Sequence, residues 1–147
     1  MAIVLGLNAK LYRNTGTFST PVWNEIDIAR DVTLTLESSE ADVSSRVSQW
    51  RATAAALKDA SIEFQMVWDQ AHADLVAVKD AWVNNTDLEL LVLDGSSATT
   101  GNSGLRAICR IFSFTRNEAL EEALTVDVVA KPSYAAAAQV PTWYTVP

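Results

Sequence analysis

Apolar and polar positions alternate along most of the chain. Leu5, Leu7, Ala9 and Leu11 alternate with Gly6, Asn8 and Lys10, which predicts a half-buried strand followed by a turn at Asn14–Gly16. After Pro21, Val22, Asn24, Ile26 and Ile28 share one phase against Trp23, Glu25 and Asp27. The clearest strand is 31–37, where Val32, Leu34 and Leu36 face one way and Asp31, Thr33, Thr35 and Glu37 the other. Such a strand has one wet face, or one face turned to a polar partner. Ser61–Trp68 repeats the pattern with Ile62, Phe64, Met66 and Trp68 inward.

The period then changes. Ala71, Leu75, Val78 and Trp82 are spaced 4, 3 and 4, the stripe of an amphipathic helix over 69–84, with Asp69 as N-cap and Asn84–Asn85 as exit. This helix is expected to lie across an open side of the sheet and to bury Leu75 and Trp82. Asp87–Asp94 reads as a short apolar strand and 95–104, with three glycines, as a flexible loop. In 105–114 both phases are apolar, Leu105, Ala107, Cys109 and Ile111 against Ile108, Phe112 and Phe114, so both faces need cover. Leu124, Val126 and Val128 mark a last strand.

Two stretches fit no clear period. Residues 38–60 are polar and rich in small side chains. Val47, Trp50, Ala54 and Leu57 fit a helical stripe there, and an extended excursion is an equal alternative. The tail 132–147 carries Tyr134, Trp143 and Tyr144 without a period, a composition usually anchored by packing on its own subunit or a neighbour. These elements predict a mainly β domain over 1–131 followed by the tail 132–147. The expected fold is an antiparallel β-barrel or sandwich of six to seven strands flanked by one main α-helix, with an extended excursion.

Composition narrows the function. With 147 residues the chain makes one domain with a real core. Eleven Lys plus Arg against 18 Asp plus Glu give a net charge of −7, poor equipment for gripping nucleic acid phosphates. One cysteine and one histidine exclude a disulfide framework and a multi-thiolate or His-rich metal centre. No run approaches the length of a membrane helix, and the apolar start suits a strand better than a signal peptide, which suggests a protein made in a reducing cytoplasm. Cys109, in an apolar strand, reads as a small buried hydrophobe, and His72 as a surface or capping histidine. The acid pairs Glu25/Asp27, Asp87/Glu89 and Glu121/Glu122 have the spacing of any solvated face. Arg106, Arg110 and Arg116 read as salt-bridge partners of nearby carboxylates. No catalytic residue, cofactor site or metal site is assigned. Five tryptophans, with Trp50 in the polar excursion and Trp143 in the tail, point to assembly, because aromatic side chains and arginines anchor interfaces.

The segment Trp23–Leu36 with Glu40-Ala41-Asp42 and Arg46, then Ser61–Phe64, the helix 70–83, Phe114–Val128 and Lys131-Pro132, resembles, in order, the major tail tube proteins of long-tailed bacteriophages. The resemblance spans about residues 3–132. It implies a structural subunit and not an enzyme: six copies close into a ring with a continuous inner sheet, and rings stack into a tube that passes viral DNA without specific binding. It implies that 38–60 reaches the adjacent ring, with Asp42, Arg46 and Trp50 as contacts. The loop 95–104 and the tail, through Tyr134, Trp143 and Tyr144, would add further contacts. The implied partners are further copies of the chain and, beyond them, tail initiator, terminator and tape-measure-type proteins, with no membrane. The implied location is the virion tail, after synthesis in the host cytoplasm. A lumen that lets a polyanion slide should be acidic, and Glu25, Asp27, Asp31, Glu37, Glu63, Glu89 and Asp127 are the candidates to line it. Two alternatives stay open: a tube subunit of a phage-like secretion or injection device, and a small ligand-binding β-barrel.

Overall fold

A computed structural model describes residues 3, 5–118, 120–133 and 140–147. Eight strands form one antiparallel sheet: β1 (Lys10–Asn14), β2 (Trp23–Glu25), β3 (Ala29–Asp42), β4 (Thr53–Val67), β5 (Leu88–Leu93), β6 (Ser103–Asn117), β7 (Thr125–Pro132) and β8 (Thr142–Thr145). Helix α1 (Ala73–Val83) connects β4 to β5. The strand order is β2-β1-β5-β6-β7-β4-β3, with β8 also on β6. Among the described residues the sheet is not closed into a barrel: β2 and β3 are its two edges. The count exceeds the expected six to seven because the tail contributes β8.

The long strand β6 is the spine. One of its edges pairs with β5 over Gly104–Cys109. The other pairs with β8 over Ser103–Arg106 and with β7 over Cys109–Asn117. The sheet folds around a core in which Leu11 and Leu90 meet Ile62, Phe64, Met66, Val126 and Val128, with Leu75 and Val78 of α1 in the same cluster. Ile62, Phe64 and Met66 lie inward as their alternation predicts, and Val128 stands opposite Phe64. The two apolar phases of β6 have a local cause. A register shift between Ile111 and Ser113 leaves Phe112 exposed and returns Phe114 to the core side.

A second, smaller core explains the apolar run of β5. Tyr12, Leu91, Leu93 and Val146 are buried together on the opposite face from Leu11 and Leu90, with Trp23 and Tyr144 against them. A strand covered on both faces has no reason to alternate.

Four expectations are corrected. The first strand starts at Lys10. Leu5 and Leu7 are exposed around a single 3₁₀ turn at Gly6–Asn8, because no strand of this chain lies beside them among the described residues. The alternation at 22–28 yields only Trp23–Glu25 as strand; Ile26 turns into the core and Ala29 begins β3. The helix is capped by His72, whose Nδ1 accepts the Asp74 N–H at 3.2 Å, and not by Asp69. Its buried face is Asp74, Leu75, Val78 and Ala81, rotated from the expected stripe, so Trp82 stays half exposed. Asn84 and Asn85 do end it, Asn85 in the left-handed region at φ 57°.

Cys109 is fully buried, and burial, with Asp87 and Glu89 adding to it, pushes its thiol up to about 12. We expect iodoacetamide at pH 8 to leave the native protein unmodified and to label one thiol per chain after unfolding. Native labelling at a free-thiol rate, read by mass spectrometry, would contradict the buried placement.

Candidate functional site

The polar groups near the helix are spent on structure. His72 Nε2 lies 2.8 Å from Asp27 Oδ1, while its Nδ1 serves the helix cap. Asp74 accepts Arg13 Nε at 2.9 Å and Asn24 Nδ2 at 3.1 Å. Asp27, His72 and Asp74 bring three potential metal-ligand atoms within 4.8 Å of one another. The cation already there is the Arg13 guanidinium, and both histidine nitrogens are engaged, so the donor set suits a helix tether and not a metal ion. The arginines pair as their surroundings predict: Arg106 with Glu89, Arg110 with Asp87 and Arg116 with Glu118. Arg106 also stacks 4.1 Å over the Phe18 ring.

The dominant surface feature is an arm. Beyond Leu36 on β3 and before Ala60 on β4, every residue is exposed. Residues 37–59 are therefore an antiparallel hairpin that leaves the body, and the helical alternative for 47–57 is excluded. Alanine favours helices, but Ala54 and Ala55 are paired across the hairpin with Ala41 and Glu40, and cross-strand pairing overrides that preference. Two serines hold the ladder together where it breaks. At the register shift between Ser38 and Glu40, the Leu57 N–H donates to Ser39 Oγ at 2.9 Å. Near the tip the Ala52 N–H donates to Ser44 Oγ at 2.8 Å. Asp42 closes the neck by accepting the Ser44 N–H at 2.9 Å, and hydrogen bonds from the Ser44 side chain and backbone lower its carboxyl from 3.8.

All three residues expected to reach the adjacent ring, Asp42, Arg46 and Trp50, lie on this arm and are exposed. Around them stand apolar side chains that sequence reasoning did not single out as contacts: Val43, Val47 (95% exposed) and Leu57 (80%), beside Trp50 (84%). Arg51, also overlooked, approaches Asp42 at 4.0 Å. A stretch that places this much apolar surface outside any core is a mark of an interaction site.

Six of the seven candidate acids fall into two groups. Glu25 is held by Lys10 at 2.9 Å, Asp27 by His72, and Glu89, only 9% exposed, by Arg106 and Asn14. Glu37, Glu63 and Asp127 instead share the wet face of β3-β4-β7-β6, the face opposite the core. Thr33, Thr35, Ser61, Gln65, Thr115 and Asn117 share that face with Asp59 opposite Glu37, Arg30 opposite Gln65, and Lys131 opposite Arg110. Gln65 and Asn117 donate to Asp127 at 3.1 and 2.7 Å, fixing the carboxylate without neutralising it. Asp31, at φ 47°, sits at the bulge where β3 begins its regular pairing.

The tail residues also separate. Tyr144 turns onto its own chain, edge-on to Trp23 at 6.0 Å, whereas Trp143 is exposed. Tyr134 lies outside the described residues. The segment 95–104 is tied to the C-terminal strand: Gly101 N–H donates to Val146 O at 3.0 Å, and Val146 N–H to Asn102 O at 2.8 Å.

No protein-family profile matches the chain, and no curated protein does. Solved structures do. A chain from the tail of an empty gene transfer agent particle, refined helically with C6 symmetry, matches with a TM-score of 0.70 at 18% identity, over 89% of this chain and 95% of that one. The SPP1 tail tube matches with a TM-score of 0.72 at 12% identity, over 88% of this chain and 75% of that one. A chain of the six-fold symmetrised baseplate of the anti-feeding prophage matches with a TM-score of 0.55 at 9% identity, over 94% and 91%. The chain thus has the fold of the SPP1 tail tube and of the gene transfer agent tail.

Proposed function

We propose that the chain is a structural, non-enzymatic subunit whose hexameric rings stack into a hollow tail tube for the passage of viral DNA. The observation that carries this reading is the end-to-end likeness to a chain of a tail with C6 symmetry. The free edges of β2 and β3 and the projecting arm support it, because both call for partners outside the chain. Head-to-tail stacking is a heterologous contact that does not close, so it makes a tube of open length. Further copies of the chain are the main partners. Initiator, terminator and tape-measure-type proteins act at the ends and in the lumen, and the assembled protein resides in the virion after synthesis in the host cytoplasm.

The wet face of β3-β4-β7-β6 is the lumen wall in this reading. It carries the acids Glu37, Asp59, Glu63 and Asp127 against Arg30 and Lys131, with Arg110 there already paired to Asp87, and six copies at −7 bring −42 to each ring. Such a wall repels phosphate and lets DNA slide. The paired Glu25, Asp27 and Glu89 take no part in it. Replacing Glu63 and Asp127 together by Lys should give tubes that retain DNA. The added cations make that binding strongly salt-dependent, as an ionic-strength series of DNA retention would record. Retention unchanged from the parent tubes would move the lumen to another face.

A subunit of a phage-like injection device is the second reading, supported by the likeness to the anti-feeding prophage baseplate. A ligand-binding barrel lacks support, since the sheet leaves β2 and β3 as open edges. Negative-stain electron microscopy of concentrated protein tests the proposal. Hollow tubes or six-fold rings are expected, and uniform small particles at every concentration and salt would count against it.

A further inference from the structure

We propose that His72 is a proton-operated clasp at the corner where the chain passes from β2, one edge of the sheet, to β3, the other. Neutral, it caps α1 and ties the helix to the β2–β3 turn. Protonated, it gives up the cap and binds the buried carboxylate of Asp74 instead. The clasp operates within one chain, whatever assembly that chain enters. His72 is the single histidine, and its side chain is 24% exposed, so a proton can reach it. Its backbone is held on both sides: the His72 N–H donates to Asp69 O at 3.0 Å, and the Val76 N–H donates to His72 O at 3.2 Å. A change of charge on the ring is therefore answered by the side chain.

Hydrogen-bond roles fix the resting state. The Asp74 N–H can only donate, so Nδ1, 3.2 Å away, is the bare nitrogen. The proton of the neutral ring then sits on Nε2, which donates to Asp27 Oδ1 at 2.8 Å. One tautomer alone satisfies both contacts. A second proton can enter only at Nδ1, where it sets a donor against the donor of the Asp74 amide. The cap is lost, and the positive ring also opposes the positive end of the helix dipole. An acceptor stands in reserve. Asp74 Oδ1 takes Arg13 Nε at 2.9 Å and Asn24 Nδ2 at 3.1 Å, whereas Oδ2 has only the longer 3.4 Å contact from Asn24. Oδ2 lies 3.6 Å from Nδ1, just outside hydrogen-bond reach, so a small turn of the ring closes the pair. Among the described residues, the charged groups in contact with the ring or its partners are Asp27 on the β2–β3 turn, Asp74 on α1 and Arg13 on β1. Asp69, before the helix, spends its carboxylate on the Ala71 N–H at 3.0 Å, and on the β1–β2 ladder Lys10 and Glu25 pair with each other. Asp27 accepts from Nε2 in both states. The ring thus stays attached to the turn while its grip on the helix passes from the backbone amide to the Asp74 side chain.

The test is solution or solid-state ¹⁵N NMR of the full chain labelled at histidine, which reads a free subunit and a larger assembly alike. With one histidine per chain, a single imidazole is observed. At pH 8 the expected spectrum has Nε2 protonated and Nδ1 bare. Imidazoles change charge between about pH 5 and 8, so the titration runs down to pH 5. As Nδ1 takes its proton, protection of the Asp74 amide against hydrogen exchange, corrected for the intrinsic rate, should fall about fivefold, the worth of a typical cap. His72→Asn keeps a capping oxygen and cannot titrate, so its Asp74 protection should not follow pH over this range. A proton on Nδ1 at pH 8 would overturn the proposal, as would an imidazole that takes no second proton by pH 5. Protonation that leaves the Asp74 amide as protected as before would show that the cap does not switch. The same pH response in His72→Asn would assign it to another group, and either result overturns the clasp.

Discussion

Replacing Asp74 by Ala should lower stability by about 3–5 kcal/mol, the cost of leaving a buried charge without its partner. In a chain of this length that corresponds to a fall in Tm of roughly 10 °C. Asp74 is 1% exposed and sits in the first turn of α1, where a carboxylate also answers the helix dipole. It ties three elements together: its own helix, β1 through Arg13, and β2 through Asn24. Without it the Arg13 guanidinium, its side chain 15% exposed, stays desolvated with no counter-charge. Asp74→Asn keeps an acceptor for Asn24 and loses the charge, so its effect should be intermediate. Pairing Asp74→Leu with Arg13→Met removes both charges and should recover much of the loss, since an apolar pair of similar size packs there without a desolvation cost. Thermal melts of the four proteins decide the matter. A single substitution that costs under 1 kcal/mol would mean that water reaches this ion pair.

The alternating strands were legible because one face of each packs on a single core. Val32 and Leu34, Ile62 to Met66 and Val126 to Ala130 follow a period of two for that reason. The reading failed where the partner surface lies far away in sequence or outside the chain. β8 is four residues long and owes its conformation to β6, some 40 residues earlier, so no local period announces it. The arm showed a helical stripe because Ala, Val and Leu occur at suitable intervals. Its real signal was the serines, Ser39 and Ser44, placed to mend a broken ladder. Leu5 and Leu7 alternate as in a strand and yet are exposed. Among the candidate acids, sequence could not separate those already paired, such as Glu89, from those left on the wet face, such as Glu63. That separation depends on cross-strand neighbours, which only the register supplies. Asp74 escaped notice altogether, since nothing in a sequence distinguishes one helical aspartate that is buried from others that are not.

Gly104→Ala should be the most disruptive single methyl in the protein. Gly104 stands at a crossing of three strands, opposite Leu93 on β5 and Tyr144 on β8. A Cβ built there would lie 1.5 Å from the Val92 carbonyl oxygen and 2.6 Å from its carbon. These are backbone atoms, so no rotamer change relieves the clash; β5 and β6 must part at that point. Overpacking of side chains in a core usually costs 1–3 kcal/mol and sometimes more, and a backbone collision belongs at or above the top of that range, at about 3 kcal/mol. The damage should spread in a definite direction. β8 is held to β6 only over Ser103–Arg106, and its Tyr144 and Val146 seal the smaller core with Tyr12, Leu91 and Leu93. Parting the strands at Gly104 should therefore release 142–147 before it disturbs β4 and β7. Limited proteolysis and hydrogen exchange should show early cleavage and faster exchange in the C-terminal strand, with protection kept at Phe64 and Val128. Uniform loss of protection across both halves of the sheet would mean that the smaller core does not open separately from the larger one.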